Sequence, residues 1–224
     1  MRFVIFTHSL ISDWNHGNAH FLRGFATELL NAGHDVRVFE PAQGWSLTNL
    51  IADRGLSAIN EFGRVYPRLR SRLYDESAFD PSRALKGADV AIVHEWNSHE
   101  IVRRVGEYRS SHPNLRLYFH DTHHRCATDP VAMSRYDLRH YDGVLAYGAV
   151  IRDLYLRNQW AKNAWTWHEA ADTRIFHPIP GLEPEGDLVW IGNWGDGERS
   201  AEIREFLIEP VRALRLRARV YGVR

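Results

Sequence analysis

The sequence predicts an α/β protein built on a mostly parallel sheet with helices on both faces. Three observations carry this. Short β-rich apolar runs alternate with helix-patterned stretches as far as residue 167. The first forty residues alone read as a complete strand–helix–strand unit. Apolar residues make up 44% and charged residues 25% of the 224-residue chain, close to the average for a globular protein with a proper core.

The elements follow in order. Phe3-Val4-Ile5-Phe6 reads as a buried strand, and a polar stretch from His8 to Asn18 follows it. Phe21, Leu22, Phe25, Ala26, Leu29 and Leu30 recur at helical spacing, with Gly33 where a C-terminal cap belongs. Residues 35–40 form a second strand. Between 46 and 86 the pattern is weaker: Leu47, Leu50 and Ile51 suggest a helix, and the arginines of 64–72 read as a solvated helical face. Residues 89–94 are a strand, and 98–110 a helix with Asn97 and Glu100 as its N-terminal cap. Residues 115–120 are the next strand, and 131–140 a short helix. A strand at 143–147, a helix carrying Val150, Ile151, Leu154 and Tyr155, and a strand at 164–167 complete about six strands. That is the size of a full Rossmann-type domain.

The texture changes near Phe176. Pro178, Pro180, Gly181, Pro184 and Gly186 mark residues 177–186 as a linker between a domain of 1–176 and a second part of 187–224. That second part holds a strand at 187–192, a glycine loop, a helix interrupted at Pro210 and a strand at 219–221. It reads as the beginning of a second Rossmann-like domain, too small to hold a core alone, and suggests a truncated chain.

Charge and composition narrow the function. Lys+Arg and Asp+Glu both number 28, so the net charge is zero. This gives no electrostatic case for nucleic acid or an anionic membrane, and the expectation is of no nucleic-acid partner. Cys126 is the single cysteine, which rules out an internal disulfide and suits a reducing cytoplasm. No signal peptide and no membrane span are legible. Oligomeric state is not legible either.

In a doubly wound sheet, ligands bind beyond the carboxyl ends of the strands. The candidate residues are therefore His8, the His16-Gly17-Asn18 loop, His94 and Glu95, and the run from His120 and Asp121 to His124. Glu40 also ends a strand but is read as solvent-facing. His120 beside Asp121 is the sharpest feature: a carboxylate can orient an imidazole to act as a base or as a hydrogen-bond donor to a sugar hydroxyl. A structural histidine cluster is the alternative. The spacing of His120, His123, His124 and Cys126 matches no zinc pattern, so no metal and no cofactor are expected. Gly17 precedes a helix, where backbone amides attract anions, although no GxGxxG fingerprint is present. The loop from Gly192 and Asn193 to Arg199 likewise offers amides and a guanidinium suited to a diphosphate.

Three segments resemble a known family. The run Thr7-His8-Ser9-Leu10 through His16-Gly17-Asn18 is similar to the first strand–helix unit of two-domain GT-B glycosyltransferases. The stretch from Trp167 through Glu169 to Pro178 resembles their interdomain segment, with His168-Glu169-Ala170-Ala171 in place of the usual Asn-Gly-Val. The run from Leu188 to Arg199 looks like the first strand and loop of their nucleotide-sugar domain, closest to the group related to the spore-maturation protein CgeB. The resemblance implies two facing Rossmann-like domains and transfer of a sugar from a nucleotide-sugar donor to an unknown acceptor. It places His120 at the donor sugar, the Gly17 loop near the donor diphosphate and Arg199 on the leaving group, and it implies no bound metal. The family's donor-binding carboxylate lies further along than this chain extends, so weak donor binding and an inactive fragment are expected. Two rival functions stay open: a non-catalytic sugar- or nucleotide-binding module, and a metal-dependent hydrolase.

Overall fold

The computed structural model describes residues 1–14, 16–183, 185–192, 194 and 197–222, apart from the side chain of Glu198. The chain forms two compact units, Met1–Ile175 and Phe176–Arg224.

The first unit runs β1 (Arg2–Phe6), α1 (Asn18–Asn31), β2 (Asp35–Pro41), α2 (Trp45–Arg54), α3 (Ser57–Val65), β3 (Ser71–Tyr74), α4 (Pro81–Ala84), β4 (Val90–His94), α5 (His99–Ser110), β5 (Arg116–Asp121), α6 (Arg125–Thr128), α7 (Pro130–Met133), β6 (Gly143–Ala146), α8 (Ala149–Arg157) and β7 (Ala164–Thr166). The strands form one sheet in the order β3-β2-β1-β4-β5-β6-β7, and every neighbouring pair is parallel. This is an α/β Rossmann-like fold.

Successive strand residues point to opposite faces, so each buried strand feeds two cores. Val4, Phe6, Ala91, Val93, Leu117, Phe119, Val144 and Ala146 pack with Ile101, Val102 and Val105 of α5 and with Ile151 and Tyr155 of α8. Ile5 and Val38 pack with Phe21, Leu22 and Ala26 of α1 and with Phe62 of α3. The tight turn after α1 requires Gly33. Its φ is +78°, its N–H reaches the Leu30 carbonyl, and the His34 N–H reaches the Leu29 carbonyl, the Schellman closure.

Several sequence expectations need correction. The arginine-rich stretch is not one helical face: α3 ends at Val65, and Arg72 lies on a seventh strand, β3. That strand is short, sits at the sheet edge and leaves its middle residues exposed, so it carries no apolar signal. The cap of α5 is Ser98, whose hydroxyl accepts from the Ile101 N–H, while Asn97 donates to the carbonyls of Phe6 and His94. The helix expected over 131–140 is only α7, and turns follow it.

Glu40 is not solvent-facing. It is 1% exposed, and its Oε1 accepts the backbone N–H groups of Leu10 and of Ile11, the latter at 3.1 Å. Burial raises its carboxyl above the ordinary glutamate value. The side chain thus anchors the loop that follows β1. Glu40→Ala, which strands two donors, is expected to cost about 1–3 kcal/mol of unfolding free energy. Glu40→Gln keeps an acceptor and should cost much less; urea unfolding of both variants checks this.

The second unit pairs β8 (Leu188–Ile191) with β9 (Ala218–Tyr221) in parallel. They are joined by α9 (Gly197–Ile203), a π-helical turn over Arg204–Ile208 and α10 (Glu209–Ala213). Pro210 therefore does not break the helix. It lies in the first turn of α10, where a missing N–H is tolerated, directly after the wider turn. Ile203 and Leu207 are buried, whereas Val189, Ile191, Phe206 and Leu214 are exposed. No helix among the described residues is long and apolar enough to cross a membrane.

Candidate active site at the strand tips

β2 and β4 flank β1, so the strand order reverses beside β1, and sheets of this kind hold their ligands at the carboxyl ends there. His94 and His120 are register partners on β4 and β5. Both rings turn to the α1 side: they meet edge to face at 5.4 Å, and His120 lies 5.7 Å from Phe21 and 4.9 Å from Trp167. Glu95 and Asp121, one residue further along each chain, turn to the opposite side. The alternation of a strand thus sorts histidines to one face and carboxyls to the other.

The expected His120–Asp121 pair therefore does not form. Asp121 is fully buried and accepts from the His123 N–H at 3.1 Å, the Cys126 thiol at 2.9 Å and the Tyr155 hydroxyl at 2.8 Å. Burial, and then the adjacent Asp121 carboxylate, push the Cys126 thiol and the Tyr155 hydroxyl up, so both stay protonated donors. Glu95 accepts from the Thr122 N–H at 3.0 Å and its hydroxyl at 3.1 Å. Burial first, and the Asp121 carboxylate second, raise its carboxyl well above the usual range.

His94 has a fixed role. The Trp96 N–H approaches its Nδ1 at 3.3 Å, and the Thr122 hydroxyl lies 3.0 Å from its Nε2 while donating onward to Glu95. His94 is thereby a neutral ring with its proton on Nε2. His120 differs. It is 1% exposed, and neither ring nitrogen has a hydrogen-bond partner among the described residues. Burial lowers it to about 3, so it is a neutral imidazole at physiological pH. A ring this weakly basic suits hydrogen bonding rather than proton abstraction.

The loop after β1 completes the site. His8 lies 4.2 Å from His16 and 5.5 Å from His94. His16 bonds the Ser12 carbonyl at 2.8 Å. Burial lowers His8 to about 3 and His16 to about 4. Gly17 caps α1 with an ordinary φ of −81°, and a Cβ there would meet nothing within 4 Å. Its value is open access rather than unusual backbone. The Asn18 amide donates to Glu169, which burial lifts to about 7 against that opposing bond. The first unit thus gathers His16, Gly17, Asn18 and Glu169 at the N-terminus of α1, and Phe21 and Trp167 link them to His120.

In the second unit, the Gly192 N–H bonds the Tyr221 carbonyl at 2.9 Å, and Arg199 is exposed on α9. Asn193 and the following Gly195 and Asp196 lie outside the described residues. Among the described residues, no three His, Cys, Asp or Glu side chains converge as a metal-holding group.

In fold, the chain resembles solved alpha-glucosyltransferases. One, in complex with UDP and a 13-mer DNA containing an HMU base, is 14% identical with a TM-score of 0.58, over 94% of this chain and 55% of that one. A second, with UDP-glucose and DNA containing an abasic site, is 15% identical with a TM-score of 0.56 over the same shares. A third, with UDP, is 13% identical with a TM-score of 0.55, over 94% of this chain and 56% of that one. The chain thus spans about half the length of these enzymes. No protein-family model matches the sequence, and no curated protein matches it either.

These neighbours overturn one expectation. Balanced charge predicts no nucleic-acid partner, yet solved proteins of this fold hold DNA. Net charge averages over the whole surface, whereas a nucleic acid meets one face of it.

Three residues here lie in stretches that the sequence marks, but without the roles the structure gives them. Trp167 becomes important only because β7 sets it over α1, and Thr122 only because it bridges His94 and Glu95. Asn97 ties β4 to β1. The one usable signal was their position just past a strand end.

Proposed function

We propose that the protein is a glycosyltransferase that uses a nucleotide-sugar donor of the UDP-glucose type. The observation that carries this reading is His120, buried with both ring nitrogens unpartnered at the carboxyl ends of a Rossmann-order sheet. A buried polar ring without partners costs stability unless a ligand supplies them. In this reading His120 hydrogen-bonds the hydroxyls of the transferred sugar. The open backbone at Gly17 takes the donor's phosphates, and, within the second unit taken by itself, Gly192 and Arg199 offer an amide and a guanidinium to an anion. Kinship with the CgeB-related group rests on the loop from Gly192 to Arg199 alone. His94, Glu95 and Asp121 hold the tips of β4 and β5 and are positioning residues.

Glu169 is the group tuned for proton transfer near neutrality. If its carboxylate accepts the proton of the attacking hydroxyl, activity rises as pH rises through about 7. Glu169→Gln is expected to remove that limb and lower kcat about 100-fold. A pH profile of sugar transfer from UDP-glucose, read by mass spectrometry against an acceptor panel that includes DNA and taken on a chain spanning the full length of the alpha-glucosyltransferases above, tests the reading. A Glu169→Gln profile identical to the parent's removes Glu169 from the reaction, and no transfer to any acceptor rejects the reading itself.

A further inference from the structure

The strand tips are rimmed by tryptophans that the core does not use. Trp45 is 53% exposed and Trp96 46% exposed, an uncommon disposition for the largest aromatic side chain. Trp96 stands beside the His8 ring, and the backbone before Trp45 passes the His8 carbonyl. The Trp96 ring lies 6.0 Å from the His8 ring, and Trp45 follows Gly44, where a Cβ would come within 3.1 Å of the His8 carbonyl. Trp14 meets Trp45 edge-on at 5.3 Å. The Arg125 guanidinium sits 4.8 Å from the centre of the Trp96 ring, and His123 meets that ring at 5.5 Å. Two aromatic groups, Trp14 with Trp45 and Trp96 with Arg125, therefore lie beyond the carboxyl ends of β1, β2, β4 and β5.

The polar groups beneath this rim indicate what it recognises. A saccharide needs acceptors for its many hydroxyl protons. The carboxyls of these tips are turned inward instead. Glu40 is taken up by Leu10 and Ile11, Glu95 by Thr122, and Asp121 by His123, Cys126 and Tyr155. Asp13 pairs with Arg23 at 2.9 Å. What remains at the surface is flat, apolar and, at half-buried Arg125, cationic, with the partly exposed Asp13 carboxylate held by Arg23. An unpaired nucleobase with its phosphate matches that inventory: bases stack on tryptophan whatever their identity, and a guanidinium pairs with phosphate.

We propose that the Trp45–Trp14–Trp96 rim with Arg125 is a binding surface for unpaired nucleic acid, which carries the hydroxyl to be glycosylated. This rests on the glycosyltransferase reading for its purpose, but the binding itself does not.

The test is fluorescence anisotropy of a labelled single-stranded oligothymidylate of about 12 nucleotides, without nucleotide sugar, across a salt series. The parent protein is expected to bind with affinity that falls as salt rises. Trp96→Ala should weaken binding about 5- to 150-fold, and Trp96→Phe should keep most of it. Arg125→Ala should flatten the salt dependence. Trp96 is exposed, so its loss should leave thermal unfolding unchanged; Trp45→Ala provides a second variant on a different loop. No binding by the parent, equal binding by Trp96→Ala and Trp45→Ala, or displacement of the oligonucleotide by a maltooligosaccharide overturns the proposal. Sugar transfer to a non-nucleic acceptor would sink this inference while the transferase reading stood. Trp96-dependent DNA binding without transfer of any sugar would do the reverse.

Discussion

In a chain spanning the full length of the alpha-glucosyltransferases, His120→Phe is expected to lower sugar transfer by two to three orders of magnitude while the protein stays folded. Loss of one preorganised hydrogen-bonding group at a reacting centre costs about 10²- to 10³-fold in kcat. Phenylalanine is the informative replacement, because His120 is 1% exposed and packed against Phe21 and Trp167. Alanine would leave a cavity and confuse lost packing with lost chemistry. Phenylalanine keeps a ring and removes both nitrogens, so relief of two unpartnered buried atoms offsets part of any steric cost. Thermal unfolding near the parent value with transfer reduced at least about 100-fold is the expected pair of results. Unchanged transfer would remove His120 from the reaction.

The next residue should behave in the opposite way. Asp121→Ala is expected to destabilise the fold by about 3–5 kcal/mol, the range for breaking a buried charged network. The substitution strands the Tyr155 hydroxyl, the Cys126 thiol and the His123 N–H together. It also removes the neighbouring carboxylate that, after burial, raises the Glu95 carboxyl. Urea unfolding measures the loss. Asp121→Asn keeps an acceptor and should cost less, and whatever folds should retain the parent KM. A stable Asp121→Ala protein with normal melting would show that the network is not what holds the tips of β4 and β5.

The contrast between these two neighbours shows what the sequence could convey. Adjacency in a strand reads as proximity in sequence, but pleating sends His120 toward Phe21 and Asp121 toward Tyr155. The alternation of strands and helices was legible, because apolar runs such as Val4 to Phe6 and Val90 to Val93 are long enough to mark buried strands. β3 was not legible, because an edge strand with exposed Arg72 and Leu73 has no apolar face to display. Glu40 was misjudged for a similar reason. A glutamate at a strand end is ordinarily solvated, and only the returning backbone of Leu10 and Ile11 makes its burial favourable. The site was legible as a set of strand ends, which the all-parallel topology gathers on one side. Its inner wiring was not, since Thr122 and Trp167 acquire their contacts only through strand pairing.

The most direct test of the account concerns the unpartnered nitrogens of His120. Calorimetric titration with UDP-glucose and with UDP, on parent and His120→Phe chains of the alpha-glucosyltransferases' full length, separates the sugar from the nucleotide. A lost hydrogen bond of about 1.4 kcal/mol weakens binding about tenfold. The account predicts that loss for UDP-glucose and none for UDP. Equal affinities of the two proteins for UDP-glucose, or the same loss with both ligands, would contradict it.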